Sequence, residues 1–175
     1  ILNNSINKRG IMTNLIKRVL INKLSIVTNY YIPTILIKSI DIEPIATCNL
    51  KCGFCQVPGW DRARGTKPMS LDTFKMVLDK FKYLKHVKIQ GMGEPLLNRK
   101  LPEMVEYASK NKIKTSINSH GGLLTKDLSK RFIESNLTNM RFSFDGASKE
   151  IYEKARVGSN YENVITNINY LWSPF

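Results

Sequence analysis

An α/β fold built on a parallel sheet or barrel is what this sequence predicts, and three observations carry the expectation. Four short apolar or β-branched runs recur along the chain, and each is followed by a helical stripe with apolar residues three and four apart. Residues able to cap a helix stand just before several of those stripes, at Ser70, Thr125, Ser148 and Asn160. The 175 residues are 42% hydrophobic and 23% charged, ordinary for one globular core and unlike disordered, collagen-like or low-complexity chains. Strands alternating with helices imply right-handed parallel crossovers.

Between Ile11 and Ile26, apolar Ile11, Leu15, Val19 and Leu20 alternate with basic residues, which predicts an amphipathic helix. Its apolar face lacks aromatic anchors, so packing rather than membrane binding is its expected role. Residues 1–35 are read as this helix and its lead-in, and 36–175 as the core. The first strand is expected over Leu36–Glu43, with Pro44 opening a loop that runs through Cys48 to about Pro68. Ser70 then caps a helix whose core stripe is Leu71, Phe74, Val77, Leu78 and Phe81.

Val87–Gln90 reads as a second, buried strand, ending in Gly91-Met92-Gly93-Glu94-Pro95, and Pro102 falls in the first turn of the next helix. Ile113, Thr115 and Ile117 alternate in a third strand, His120-Gly121-Gly122 breaks the chain, and Thr125 caps the helix beyond. Met140–Phe144 is the fourth strand. Asp145-Gly146 turns, Ser148 caps a short helix, and Asn160 starts a last one through Val164, Ile165, Ile168 and Leu171. In such folds ligands collect at the carboxyl ends of the strands, so the loops there hold the informative residues.

Twenty-seven lysines and arginines against 14 acidic residues give a net charge of +13, compatible with nucleic acid, an anionic cofactor or a membrane surface. The abundance of isoleucine, asparagine and lysine resembles AT-rich coding, an alternative source of that charge. Residues 1–40 carry six basic and no acidic residues. The apolar run Ile32–Ile37 contains Pro33 and is far shorter than the roughly 20 residues of a membrane-spanning helix. No secretory h-region is visible, so a cytoplasmic location is expected. A start at Ile1 and an end at Ser173-Pro174-Phe175 directly after a helical pattern read as part of a longer product.

All three cysteines, Cys48, Cys52 and Cys55, fall within eight residues as CxxxCxxC. An odd count in so small a span argues against a disulfide framework and for metal. Structural zinc asks for four closed ligands, and His86 and His120 are not in paired zinc spacing. Thiolates also hold iron–sulfur clusters, and a cubane bound by three would keep one iron without a protein ligand.

The segment Cys48-Asn49-Leu50-Lys51-Cys52-Gly53-Phe54-Cys55 resembles the signature of radical S-adenosylmethionine (SAM) enzymes. The resemblance implies that Cys48, Cys52 and Cys55 hold a [4Fe–4S] cluster, that its unique iron is chelated by SAM, and that Phe54 packs near the adenine. Gly91-Met92-Gly93-Glu94-Pro95 resembles the family's GGE loop, whose backbone acceptors receive the methionyl ammonium, with Met92 in place of the first glycine. Asn118-Ser119 and Phe142-Ser143-Phe144-Asp145-Gly146 resemble segments that contact the SAM ribose and carboxylate, with Ser143 the favoured contact. Met92, Gly93, Glu94, Asn118, Ser119, Ser143 and Asp145 thus join Phe54 as implied cofactor contacts. Arg156 could pair with the carboxylate bidentately, but it is read first as a solvated surface arginine and stands outside that set.

The resemblance spans roughly Ile40 to Leu171 and is nearest to the SPASM/twitch branch, which often modifies peptides or proteins. It implies a partial parallel (β/α) barrel of which about four of six units are present, without the later cysteine-rich region. The expected activity is reductive cleavage of SAM to a 5′-deoxyadenosyl radical that abstracts hydrogen from a substrate, for which the branch resemblance implies a peptide or protein, with a flavodoxin- or ferredoxin-type electron donor. Two other readings stand beside it: a non-catalytic iron–sulfur binding or electron-transfer module, and a basic nucleic-acid-binding domain.

Overall fold

The computed structural model describes residues 37–57 and 67–172. Four strands run in the order β1 (Ser39–Ile42), β2 (His86–Ile89), β3 (Lys114–Ser119) and β4 (Asn139–Phe142), and every pairing is parallel. The helices are α1 (Leu71–Asp79), α2 (Leu101–Lys110), α3 (Lys126–Glu134), α4 (Lys149–Ala155) and α5 (Tyr161–Trp172). The four-stranded parallel sheet with its alternating helices has the architecture expected from the sequence. The amphipathic helix expected over 11–26 lies outside the described residues.

Local chemistry sets the helix starts. Ser70, Thr125 and Ser148 each accept a bond from a backbone N–H in the first turn, and Asn160 Oδ1 does so from Asn163 N at 2.9 Å. A short 3-10 turn, Pro95–Leu97, follows the glycine loop and was not expected. Two of the strands, β1 and β4, are shorter than the sequence suggests, while β3 runs on to Ser119. β1 covers 39–42 rather than 36–43, β2 begins one residue early at His86, and β4 ends at Phe142 rather than Phe144. Ladder ends are decided by what the neighbouring strand offers, which composition does not report.

Register sorts the side chains by face. Ile42, Ile89, Ile117 and Met140 form one row, with Ile40, Val87 and Thr115 in the row before it. This face meets the helices, where Phe74, Met104, Val105, Leu124 and Phe132 are fully buried in one core. On the opposite face the rows are Ser39, His86, Lys114, then Asp41, Lys88, Ser116, Asn139, then Asn118 and Arg141. Every one of those residues is polar. The expected buried second strand is therefore buried on one face only, with His86 and Lys88 partly exposed on the other. Parallel sheets are ordinarily covered by apolar side chains on both faces, so a polar face marks the inner wall of a curved, barrel-like sheet.

Hydrogen bonds knit the polar face laterally. His86 Nε2 meets Ser116 Oγ at 2.7 Å, Gln90 Nε2 donates to Asp41 Oδ2 at 2.7 Å, and Asn118 Nδ2 donates to Gln90 Oε1. Among the described residues, β4 has a strand neighbour on one side only. No helix among them is long and apolar enough to cross a membrane.

Candidate metal centre

The cysteine loop leaves β1 and is pinned from several directions. Glu94 N donates to Thr47 O at 2.8 Å just ahead of Cys48, and Lys51 N donates to Val157 O at 2.9 Å behind α4. Within the loop Cys55 N donates to Cys52 O at 3.0 Å, and Leu50 N reaches Cys48 Sγ at 3.4 Å. Leu50 is buried and anchors the loop. Gly93 is required by this docking: a Cβ there would lie 2.1 Å from Ile45 O and 2.7 Å from Thr47 O. The loop after β2 and the approach to the cysteines thus pack backbone to backbone.

All three thiols are free, with Cys52 buried and Cys48 and Cys55 half-buried. Burial pushes the Cys48 and Cys52 thiols up, and the Arg156 guanidinium partly offsets the rise at Cys52. No three His, Cys, Asp or Glu residues among those described converge to hold a single metal ion. Three thiols spread along one loop suit a polynuclear cluster better than one closed zinc ion.

Arg156 is a correction to the sequence reading. Its side chain is only 11% exposed, not solvated. It forms an ion pair with Asp145 through a terminal nitrogen, and its guanidinium lies 5.7 Å from the centre of the Phe54 ring. Its Nε is buried without a hydrogen-bond acceptor among the described residues. An orphan donor near enough to act on Cys52 fits a site that receives an anionic group, as thiolate-bound iron–sulfur and a SAM carboxylate both are. Helix α4 brings Arg156 here. Its start is fixed by the Ser148 cap and by Gly146, whose φ of +140° and approach to Tyr152 N, 2.6 Å from a hypothetical Cβ, exclude a side chain.

The implied SAM contacts divide. Phe54 is 63% exposed, Met92 is exposed, and the Met92 and Gly93 N–H groups donate to Glu43 Oε1 at 2.6 and 3.3 Å. Ser143 is exposed and its hydroxyl makes no hydrogen bond among the described residues, while its backbone N donates to Ser119 O at 2.8 Å. Asn118 is engaged with Gln90, and Asp145 with Arg156. Glu94 and Ser119 are buried. Glu94 Oε1 accepts from Ser119 Oγ at 2.7 Å and Leu96 N at 3.0 Å, and Oε2 accepts from His120 N at 3.0 Å.

His120 and Asn49 belong to the same network and carried no sequence signal of their own. His120 Nε2 lies 3.0 Å from Asn49 Oδ1, across 71 positions of sequence, and 3.3 Å from Glu94 Oε2. Burial pushes the His120 pKa down, against the opposing pull of Glu94.

A family model described as the radical SAM superfamily matches residues 42–171. A probable GTP 3′,8-cyclase from Methanococcus maripaludis (strain C5 / ATCC BAA-1333) is 33% identical over 130 residues, covering 73% of this chain and 43% of that protein. Among solved structures, anSMEcpe with bound AdoMet matches with a TM-score of 0.60 at 25% identity, over 78% of this chain and 41% of the other. Streptococcus suis SuiB bound to precursor peptide SuiA matches with a TM-score of 0.60 at 20% identity, over 79% and 30%. The chain spans less than half the length of each of these relatives.

Proposed function

Because this chain belongs to the radical SAM superfamily, whose members use a [4Fe–4S] cluster and SAM, we propose that it forms the cofactor-binding part of an enzyme that starts radical chemistry by cleaving SAM. The observation that carries the proposal is the docking of a loop that bears three free thiols against the Gly91–Glu94 loop, with Arg156 beside it, at the carboxyl ends of the strands. When bound, the cluster and SAM supply a reductive carbon–sulfur cleavage that yields methionine and a 5′-deoxyadenosyl radical able to abstract hydrogen.

The residues of the chain bind, orient and shield. Cys48, Cys52 and Cys55 would hold the cluster, and Met92 and Gly93 would present backbone acceptors to the methionyl ammonium. Ser143 would offer a free hydroxyl and Arg156 Nε an unspent donor to the carboxylate or ribose. Phe54 would cover the adenine, its ring already backed by the Arg156 guanidinium. Exposed Lys51 and Lys154 beside the loop would favour an acidic flavodoxin- or ferredoxin-type donor.

The substrate would lie against the polar face of the sheet. An extended peptide or protein segment, rich in backbone donors and acceptors, suits its rows of hydroxyls, amides and charges, and SuiB is held with its precursor peptide. A nucleotide is the second reading. It is favoured by Arg141, exposed on that face without an ion-pair partner among the described residues, and by the cyclase relative named for GTP.

Anaerobic reconstitution with iron and sulfide, then dithionite and SAM, tests the activity. The expected result is 5′-deoxyadenosine and methionine in equal amounts, and none from Cys48→Ala, Cys52→Ala or Cys55→Ala. A cluster that forms but leaves SAM intact would support an electron-transfer module instead, and salt-dependent RNA binding without iron uptake would support a nucleic-acid-binding domain.

A further inference from the structure

His120 sits where the two loops of the proposed cofactor site meet the end of β3, and its surroundings fix its tautomer. Gly122 N–H donates to Nδ1 at 2.9 Å, so that nitrogen is the acceptor and the ring proton resides on Nε2. Nε2–H then faces two oxygens, Asn49 Oδ1 at 3.0 Å and Glu94 Oε2 at 3.3 Å. Asn49 stands between Cys48 and Cys52, and Glu94 closes the Gly91–Glu94 loop. The imidazole is 3% exposed, and the Glu94 carboxylate beneath it is held by three further donors, from Ser119, Leu96 and the His120 backbone. The ring therefore stands on a rigid base and reaches outward to an exposed residue of the cysteine loop.

We propose that His120 is a positioning residue that, through Nε2–H, holds Asn49 and so sets the cysteine loop against the Gly91–Glu94 loop. The inference rests on the cofactor-site reading above. Its consequence is division of labour: the thiols supply affinity for iron, while the His120–Asn49 bond fixes where they stand relative to the loop that would receive the SAM ammonium. A histidine suits the role because the span needs a donor on a stiff, planar ring whose other nitrogen is already satisfied, leaving it a single orientation.

Hydrogen exchange on the metal-free chain tests this without cofactor or turnover. In both Asn49→Ala and His120→Ala, amides of 48–55 are expected to exchange about tenfold faster, the effect of one net hydrogen bond, while those of β2 and β3 keep their protection. The double variant should be no worse than either single one. His120→Gln, which keeps an N–H donor, should recover most of the protection. On the reconstituted protein the same variants should retain iron content but bind SAM about tenfold more weakly, with an altered electron paramagnetic resonance signal on SAM addition. Exchange within twofold of wild type in Asn49→Ala, or additive effects in the double variant, would overturn the proposal. Asn49 is exposed, so its substitution tests the link even if His120→Ala fails to fold. Failure of the wild-type chain to take up iron or SAM would count against the cofactor site alone, since the exchange experiment needs neither.

Discussion

On the helix-covered face of the sheet Val87, Ile89 and Ile117 are wholly buried, while the opposite face of β1, β2 and β3 carries Asp41, Lys88, Ser116 and Asn118, all at least partly exposed. The backbone ladder is common to both faces, so the difference lies entirely in the side chains. Each fully buried aliphatic residue contributes about 1.5–3 kcal/mol. The Asp41–Lys88 pair, with side chains 52% and 42% exposed and 3.9 Å apart, is worth about 0–1 kcal/mol. Stability is thus drawn from one face, and the other is left to meet ligands.

The sharpest way to break this comparison is to place a charge on the stabilising face. Ile117→Asp buries an unpaired carboxylate and is expected to cost more than about 4 kcal/mol, giving a chain without cooperative unfolding by circular dichroism. Phe132→Ala removes a fully buried ring from α3 and should cost about 3–5 kcal/mol in urea unfolding, with the cysteine loop unaltered. Across the sheet, Asn118→Leu loses the bond to Gln90 and should cost about 1 kcal/mol, yet weaken SAM binding measured calorimetrically. Lys88→Gln should change stability by less than about 1 kcal/mol, with any effect fading at high salt. A large loss of stability in either open-face variant would show that this face too is structural.

Much of the fold was legible because caps and amphipathic stripes are local. Ser70, Thr125, Ser148 and Asn160 mark helix starts by chemistry confined to a few residues, and the stripe from Leu71 to Phe81 packs on the core as its spacing implies. The cysteine spacing was legible for the same reason. The polar face was not, because it exists only when Asp41, Lys88, Ser116 and Asn139 are brought into register from four separate segments. Arg156 looked like a surface residue until α4 tucked it under Phe54, and the His120–Asn49 bond joins positions no local pattern connects.

Strand β4 has further consequences for handling the protein. Its outer rim, lacking a strand neighbour among the described residues, presents backbone groups that a second extended segment could match. Asn139 and Arg141 line that strand as solvated gatekeepers. Concentrated stocks at high ionic strength would mute the guanidinium's repulsion between copies, so dilute, low-salt buffers are the conditions under which this chain should stay monodisperse.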